Sequence, residues 1–217
     1  MGGASQAAGV EPAAPSQAAL DTIAGVDHRC RAAAGKTKTK PDRVFADTSE
    51  KRGSRSGEGS WREFPNPDAL KGIGEDGAPN TQAFVWRFAD GVVFVQLFFQ
   101  SGSGDWAHFA DHCFRADGTL ARVESTLNTF NAGLLDEEFE KGNEGGVSRI
   151  RTKYFDRDGR LLRKTSRLLD LATKKPIRRS FMDQDDIIFK VMSALPFYRL
   201  LAPERSNMPL QQSGSPQ

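Results

Sequence analysis

The chain has 217 residues, enough for one domain of ordinary size with tails. Its 30 basic and 28 acidic side chains leave a net charge of +2, so total charge gives no reason to expect nucleic acid or an anionic membrane as a partner. No segment offers the roughly 18 apolar residues of a transmembrane helix. The opening residues lack a secretory signal but also suit a processed periplasmic or secreted chain, so location stays unknown.

The N-terminal quarter predicts one helix between two poorly ordered stretches. Residues 1–15, rich in Ala, Gly, Pro and Ser, predict a disordered tail. Apolar side chains at helical spacing from Ala19 to Cys30 predict a helix over residues 16–34, capped by Ser16. Residues 35–60 predict a basic flexible linker, because few of their side chains are apolar. A solvated linker is favoured over a nucleic-acid site, since no aromatic residues are interleaved with Lys36, Lys38, Lys40, Arg43, Lys51, Arg52 and Arg55.

From Gly91 to Gln100, apolar side chains occupy both odd-numbered and even-numbered positions. Alternate residues of a strand point to opposite faces, so this stretch predicts a central strand covered on both faces. Asp-Gly pairs at Asp90, Asp117 and Asp158 each separate two strand-like runs and predict three successive hairpins. The last two hairpins share a pattern. In that pattern Phe114, Asp117, Gly118, Leu120 and Arg122 correspond to Phe155, Asp158, Gly159, Leu161 and Arg163.

These signals predict the α+β fold class, with a curved antiparallel meander of about six strands between Thr81 and Asp183. Asp185 and Asp186 precede apolar residues that predict a C-terminal helix ending at Pro196. We expect this helix, and optionally the N-terminal one, to pack on one face of the sheet. The predicted single domain covers residues 61–201, and residues 202–217 predict a second disordered tail. Asp156 to Gly159 lacks the later ligands of a calcium loop, so we predict a plain turn there.

Pairing the strands around a three-residue loop, Ala116 to Gly118, places His112 opposite Arg122. In this register one face of the hairpin combines aromatic, basic and acidic side chains, the mixture that lines pockets and grooves. The opposite face, with Cys113 and Val123, is predicted core. The candidate ligand-binding residues are Trp106, His108, His112, Phe114, Arg122 and Glu124.

His108, His112 and Glu124 also belong to the residue types that hold zinc. On a strand, however, residues four positions apart lie roughly 13 Å apart, too far to share one ion. No serine or cysteine lies in a nucleophile-elbow context. We therefore predict no metal and no cofactor. An enzyme that uses His112 with Glu124 or Asp111, with or without a metal, is an alternative function.

A three-residue loop at Arg157 to Gly159 places five basic side chains on one face of the last hairpin. Like charges repel across a ladder, so an acidic partner is expected. Residues 136–140 are the nearest candidate, ahead of nucleic acid or a phosphate ligand. The anion-binding candidates are Arg149, Arg151, Lys153, Arg163 and Arg167.

The leading functional hypothesis from the sequence is a non-catalytic binding domain. It holds an amphipathic small molecule or a partner peptide on an open sheet face. A polyanion-binding scaffold, using the basic hairpin and the cations of residues 36–55, is a further alternative. A homodimer through the apolar C-terminal helix is a candidate assembly, and nucleic acid is not an expected partner. Cys30 and Cys113 are either two buried thiols or one long-range disulfide.

Overall fold

A computed structural model of the chain describes residues 17–49, 60–71, 73, 79–130, 146–178 and 186–201. In this part of the chain, eight strands form one antiparallel sheet in the order β2-β1-β3-β4-β5-β6-β7-β8. The helices are α1 (Gln17–Gly35) and α2 (Tyr198–Leu201), with short 3-10 turns at Lys36–Lys38, Pro67–Leu70 and Met192–Ala194. The strands are β1 (Arg43–Asp47), β2 (Trp61–Phe64), β3 (Thr81–Arg87), β4 (Val93–Gln100), β5 (Trp106–Phe114), β6 (Leu120–Thr129), β7 (Val147–Phe155) and β8 (Leu161–Asp170).

The antiparallel α+β architecture is confirmed, but the sheet has eight strands instead of about six. Six of them, β3 to β8, form the meander predicted after Thr81. The other two strands were not predicted: β1 lies inside the predicted linker, and β2 begins directly after it. In β1, Val44 and Phe45 are fully buried, so two apolar residues in a basic stretch suffice for a short strand between β2 and β3. The predicted tails, residues 1–15 and 202–217, lie outside the described residues.

The prediction of a central strand covered on both faces is confirmed for β4. Its Val95 and Leu97 are buried in one apolar cluster, while Phe94 and the preceding Val92 are buried in another on the opposite face. Because its odd-numbered and even-numbered residues are both apolar, the strand is covered from two sides. The second cluster contains α1, through Ile23, Val26, Cys30 and Ala33, and we call that side of the sheet the helix face.

The opposite side, which we call the C-terminal face, packs against residues 186–201, the C-terminal segment. The prediction of a helix that ends at Pro196 is wrong, because residues 186–191 of this segment have no helical structure. Its backbone instead bonds to the β5–β6 turn: the Leu120 N–H donates to Lys190, and the Met192 N–H donates to Gly118. The α1 helix and the C-terminal segment thus pack on opposite faces, whereas one shared face was predicted.

Two neighbouring hairpins, β5–β6 and β7–β8, have the same irregular geometry. Gly118 and Gly159 adopt φ of +80° and +76°, the left-handed conformation that the predicted Asp-Gly turns require. After the first pair of each ladder, the register shifts by one residue at a β-bulge. The extra residue is Ala121 in β6 and Leu162 in β8, equivalent positions of the repeated pattern. The repeat in sequence is therefore a repeat in structure, bulge included.

Candidate ligand-binding site

The six candidate ligand-binding residues do not share one face. The predicted register is correct at Phe114 opposite Leu120, but the bulge at Ala121 then pairs Arg122 with Cys113 and Val123 with His112. Side chains directly across a ladder project to the same side. Trp106, His108, His112 and Phe114 therefore belong to the C-terminal face, while Arg122 and Glu124 belong to the helix face. The predicted His112–Arg122 pair is wrong, because a bulge exchanges the faces of every later residue in the strand.

His112 is fully buried and fixes the C-terminal segment. Its Nδ1–H donates to the carbonyl of Ala110 at 3.1 Å, and its Nε2 accepts the backbone N–H of Phe189 at 3.2 Å. Burial lowers the pKa of the imidazole to about 4, so it is neutral at physiological pH. With both ring nitrogens bound to backbone groups, His112 is placed to hold a segment rather than to transfer protons. His108 is also buried and lies 2.7 Å from the Ser125 hydroxyl.

On the helix face, Arg122 lies under α1 in a compact polar network. Its guanidinium contacts Glu124 at 2.5 Å and Asp27 of α1 at 3.4 Å. Tyr154 donates to the same Asp27 at 2.7 Å, and Arg122 lies over the Tyr154 ring. Burial disfavours the Asp27 carboxylate, but these partners outweigh it and hold the pKa of Asp27 below its ordinary value. This network joins the helix to the sheet beside the Cys30–Cys113 disulfide.

Two parallel rows of side chains cross the helix face next to this network. In the polar row, Gln96, Asp111, Glu124 and Thr152 lie directly opposite one another on β4 to β7. The aromatic row lies two residues away on each strand. In it, Phe98, Phe109, Thr126 and Ile150 lie directly opposite one another. All of them except the buried Thr152 are half-buried. We call these eight residues the platform.

The platform places two carboxyl groups directly across one ladder. Gln96 donates to Asp111 at 3.0 Å, and Thr152 donates to Glu124 at 3.0 Å. Desolvation raises the pKa of Asp111 to about 6, and the negative charge of Glu124 adds to this effect. Like charges directly opposite each other destabilise a sheet, so this pair costs folding free energy. Beside it, the rings of Phe98 and Phe109 lie with their centroids 5.0 Å apart.

Three of the five anion-binding candidates, Arg149, Arg151 and Lys153, lie together on the C-terminal face, where they meet Asp186. The Asp186 carboxylate lies 2.7 Å from Lys153, 3.6 Å from Arg151 and 3.7 Å from Arg149. Burial opposes its ionisation, but the three cations hold the pKa of Asp186 below its ordinary value. An acidic partner was correctly expected, and one comes from the C-terminal segment. The predicted partner, residues 136–140, lies outside the described residues.

The other two anion-binding candidates, Arg163 and Arg167, lie opposite Tyr154 and Ile150 on the helix face. The predicted five-residue basic face is therefore wrong, because the bulge at Leu162 moves both arginines to the other side. Both side chains are exposed on β8, the last strand of the sheet.

The predicted plain turn at Asp156 to Gly159 is confirmed. Among the described residues, no three His, Cys, Asp or Glu side chains are arranged to hold a metal ion. None of the helices in this same part of the chain is long and apolar enough to span a membrane.

A cavity of about 310 Å³ opens between the β3–β4 turn and the C-terminal segment. Its walls are mainly apolar, and Arg87 at its side donates to the Leu201 carbonyl at 3.0 Å. It contains none of the candidate residues. The predicted dimer surface is partly used within the chain, since Phe197 and Leu201 are buried against the sheet and Leu200 stays exposed. Dimerisation stays a prediction.

Sequence reasoning assigned Asp111 and Phe109 to the core and so missed the platform. A signal was present in the spacing of apolar residues. In β6 the apolar residues change from an even-numbered position, Leu120, to an odd-numbered one, Val123. In a strand without a bulge, the residues of one face are either all even-numbered or all odd-numbered. Comparison with protein-family models, with curated proteins and with solved structures finds no match for this chain.

Proposed function

We propose that this protein is a non-catalytic binding domain that holds an amphipathic ligand on the platform. The observation that carries the proposal is the alignment of two unlike rows, one aromatic and one polar, on half-buried sheet surface next to α1. An apolar ligand body would lie on Phe98 and Phe109, and its polar end would reach Asp111. Apolar surface with a few convergent polar groups is the usual composition of a small-molecule site.

The polar row favours a cationic head group on the ligand. Asp111 and Glu124 supply two carboxyl groups, and their mutual repulsion is relieved when a cation lies between them. The nearest cation of the sheet, Arg122, is already bound by Glu124 and Asp27. An organic amine or guanidinium therefore complements the site better than a carboxylate of the same shape. His112 lies on the other face and takes no part in this function.

Calorimetric titration with three ligands of one shape tests the proposal: phenylbutylamine, phenylbutanol and phenylbutyrate. We expect the amine to bind most tightly, and its affinity to decrease below about pH 6 as Asp111 becomes protonated. Asp111→Asn should reduce amine affinity about tenfold, the effect of one charge-assisted hydrogen bond. Phe109→Ala should weaken all three ligands.

Two matched variants serve as controls for these effects. Asp158→Asn removes a carboxylate from an exposed turn, and Phe130→Ala removes an aromatic ring that is 60% exposed outside the platform. Neither should change binding. Equal amine affinity in wild type and Asp111→Asn, or equal affinity for amine and carboxylate, would contradict the proposed cation-selective platform.

A further inference from the structure

The guanidinium of Arg122 is buried between two carboxylates beside the platform. Its Nη2 lies 2.5 Å from Oε2 of Glu124, and its Nε lies 3.4 Å from Oδ1 of Asp27. Asp27 has a second cation, because the exposed Arg31 lies 2.6 Å from its other oxygen. Arg122 is therefore left chiefly to Glu124, and the Tyr154 ring beneath the guanidinium holds it in this position.

Asp111 lies directly opposite Glu124 but has no cation of its own. Its carboxylate accepts a hydrogen bond from the neutral amide of Gln96 at 3.0 Å, and no cation of the described residues forms an ion pair with it. Because Arg122 neutralises Glu124, the two carboxylates of the polar row carry one uncompensated negative charge when both are ionised. That charge is half-buried, where a matching cation stabilises it more than in water.

We propose that Arg122 determines the charge of the ligand that the platform accepts, and that it restricts the site to head groups with one positive charge. The inference rests on the proposed function and adds a selectivity to that same site. A single ammonium neutralises Asp111. A second ammonium held beside the first would lie half-buried without a carboxylate, since Glu124 is already paired, and Arg122 would repel it. Arg122 acts through Glu124 and is therefore a positioning residue.

Two ligands that differ by one charge test this selectivity. They are phenylbutylamine and the diamine in which a three-carbon chain joins its nitrogen to a second amino group. The two nitrogens of the diamine are separated by roughly 5 Å, the spacing of side chains directly opposite each other on a ladder. They reach Asp111 and Glu124 together when Glu124 is released from Arg122. Calorimetric titration at about pH 7.5, where Asp111 is ionised, gives the ratio of the two affinities. We expect the wild-type protein to bind the diamine no more tightly than the monoamine.

Substitutions on either side of the Arg122–Glu124 pair should move this ratio in opposite directions. Arg122→Gln releases Glu124, which then accepts the second ammonium, so the affinity for the diamine relative to the monoamine should rise about tenfold, the effect of one charge-assisted hydrogen bond. Glu124→Gln leaves the buried Arg122 without its closer carboxylate, and the ratio should fall because the cation repels the diamine more strongly. Arg122→Lys keeps the positive charge and should keep the wild-type ratio.

A ratio of affinities separates charge selectivity from a structural role, because a general loss of structure weakens both ligands alike. Arg62→Gln is the matched control, since Arg62 is exposed on β2 at the far edge of the sheet, and it should change neither affinity. If the wild-type protein binds the monoamine but the ratio is unchanged in Arg122→Gln and Glu124→Gln, this inference is overturned and the cation site stands. Glu124→Gln alone decides the question if Arg122→Gln does not fold. Absence of monoamine binding by the wild-type protein would overturn the proposed function and the selectivity with it.

Discussion

The two faces of the sheet are covered in different ways. On the C-terminal face, the covering segment bonds through its own backbone to His112, Leu120 and Gly118. On the helix face, α1 makes its backbone hydrogen bonds within the helix, and among the described residues it is joined to the sheet by packed side chains and the Cys30–Cys113 disulfide. A helix covers one band of the strands and leaves the platform half-buried beside it. This partly covered surface is the one on which we propose that a ligand binds.

The largest effect should come from removing the covalent link on the helix face. The disulfide closes a separation of 83 residues between α1 and β5. Loop entropy predicts that Cys30→Ser with Cys113→Ser lowers the free energy of unfolding by about 4.5 kcal/mol. Urea unfolding measures this, and wild type with reductant should match the variant. A loss below about 1 kcal/mol would mean that side-chain packing alone holds α1, and the contrast between the two faces would disappear.

A somewhat smaller loss should follow from weakening the cover of the C-terminal face. Phe197 is 1% exposed and lies between Phe45 and Trp61, at centroid distances of 4.7 and 5.0 Å. Phe197→Ala should lower the free energy of unfolding by about 3 to 4 kcal/mol through loss of buried contact and the cavity left behind. It should also speed amide exchange at Phe189 and Met192, which measures release of the segment. Leu200→Ala, at an exposed position, is the control, and equal losses in the two variants would show that the ring has no special role.

The sequence was sufficient for those parts of the fold that depend on local patterns. The turns at Asp117 and Asp158, the helical spacing of α1 and the double-sided β4 were all predictable, because glycine conformation and apolar periodicity act within a few residues. The C-terminal segment was not. Its apolar residues suit a helix, but the backbone groups of the β5–β6 turn bind it in extended form, and this contact joins residues about 70 positions apart.

Of the eight platform residues, only Glu124 was among the predicted ligand-binding residues, for a related reason. Arg122 and Glu124 were identified by residue type, yet their face depended on a single extra residue, Ala121. One residue of slip reverses every side chain that follows, so a correct turn gave a wrong set of neighbours. The repeated pattern in β8 has its extra residue at the equivalent position, Leu162. The bulge could be inferred by comparing, in the two hairpins, whether the apolar residues occupy odd-numbered or even-numbered positions.

The sharpest comparison of the two faces is between Asp111 and His112, which are consecutive on β5 and point to opposite sides. Folding raises the pKa of Asp111 from 3.8 to about 6, so the folded state binds its proton more tightly and stability increases as pH decreases through this window. Folding lowers the pKa of His112 from 6.5 to about 4, so stability decreases as pH decreases through nearly the same window. Each effect amounts to at most about 3 kcal/mol, and they largely cancel in the wild type.

Single substitutions should separate these opposing contributions. In Asp111→Asn the Asp111 contribution is removed and that of His112 is left, so the free energy of unfolding should decrease by about 2 kcal/mol between pH 6.5 and 4.5. In His112→Phe only the Asp111 contribution is left, and the same quantity should increase from pH 6 to 4.5, from a lower starting value because the Phe189 N–H loses its acceptor. Urea unfolding at half-unit pH steps measures both slopes. Staying above pH 4.5 avoids the protonation of Asp27 and Asp186, whose pKa values lie below the ordinary one. Parallel slopes in the two variants would show that the neighbouring residues do not experience the opposite environments that the two faces provide.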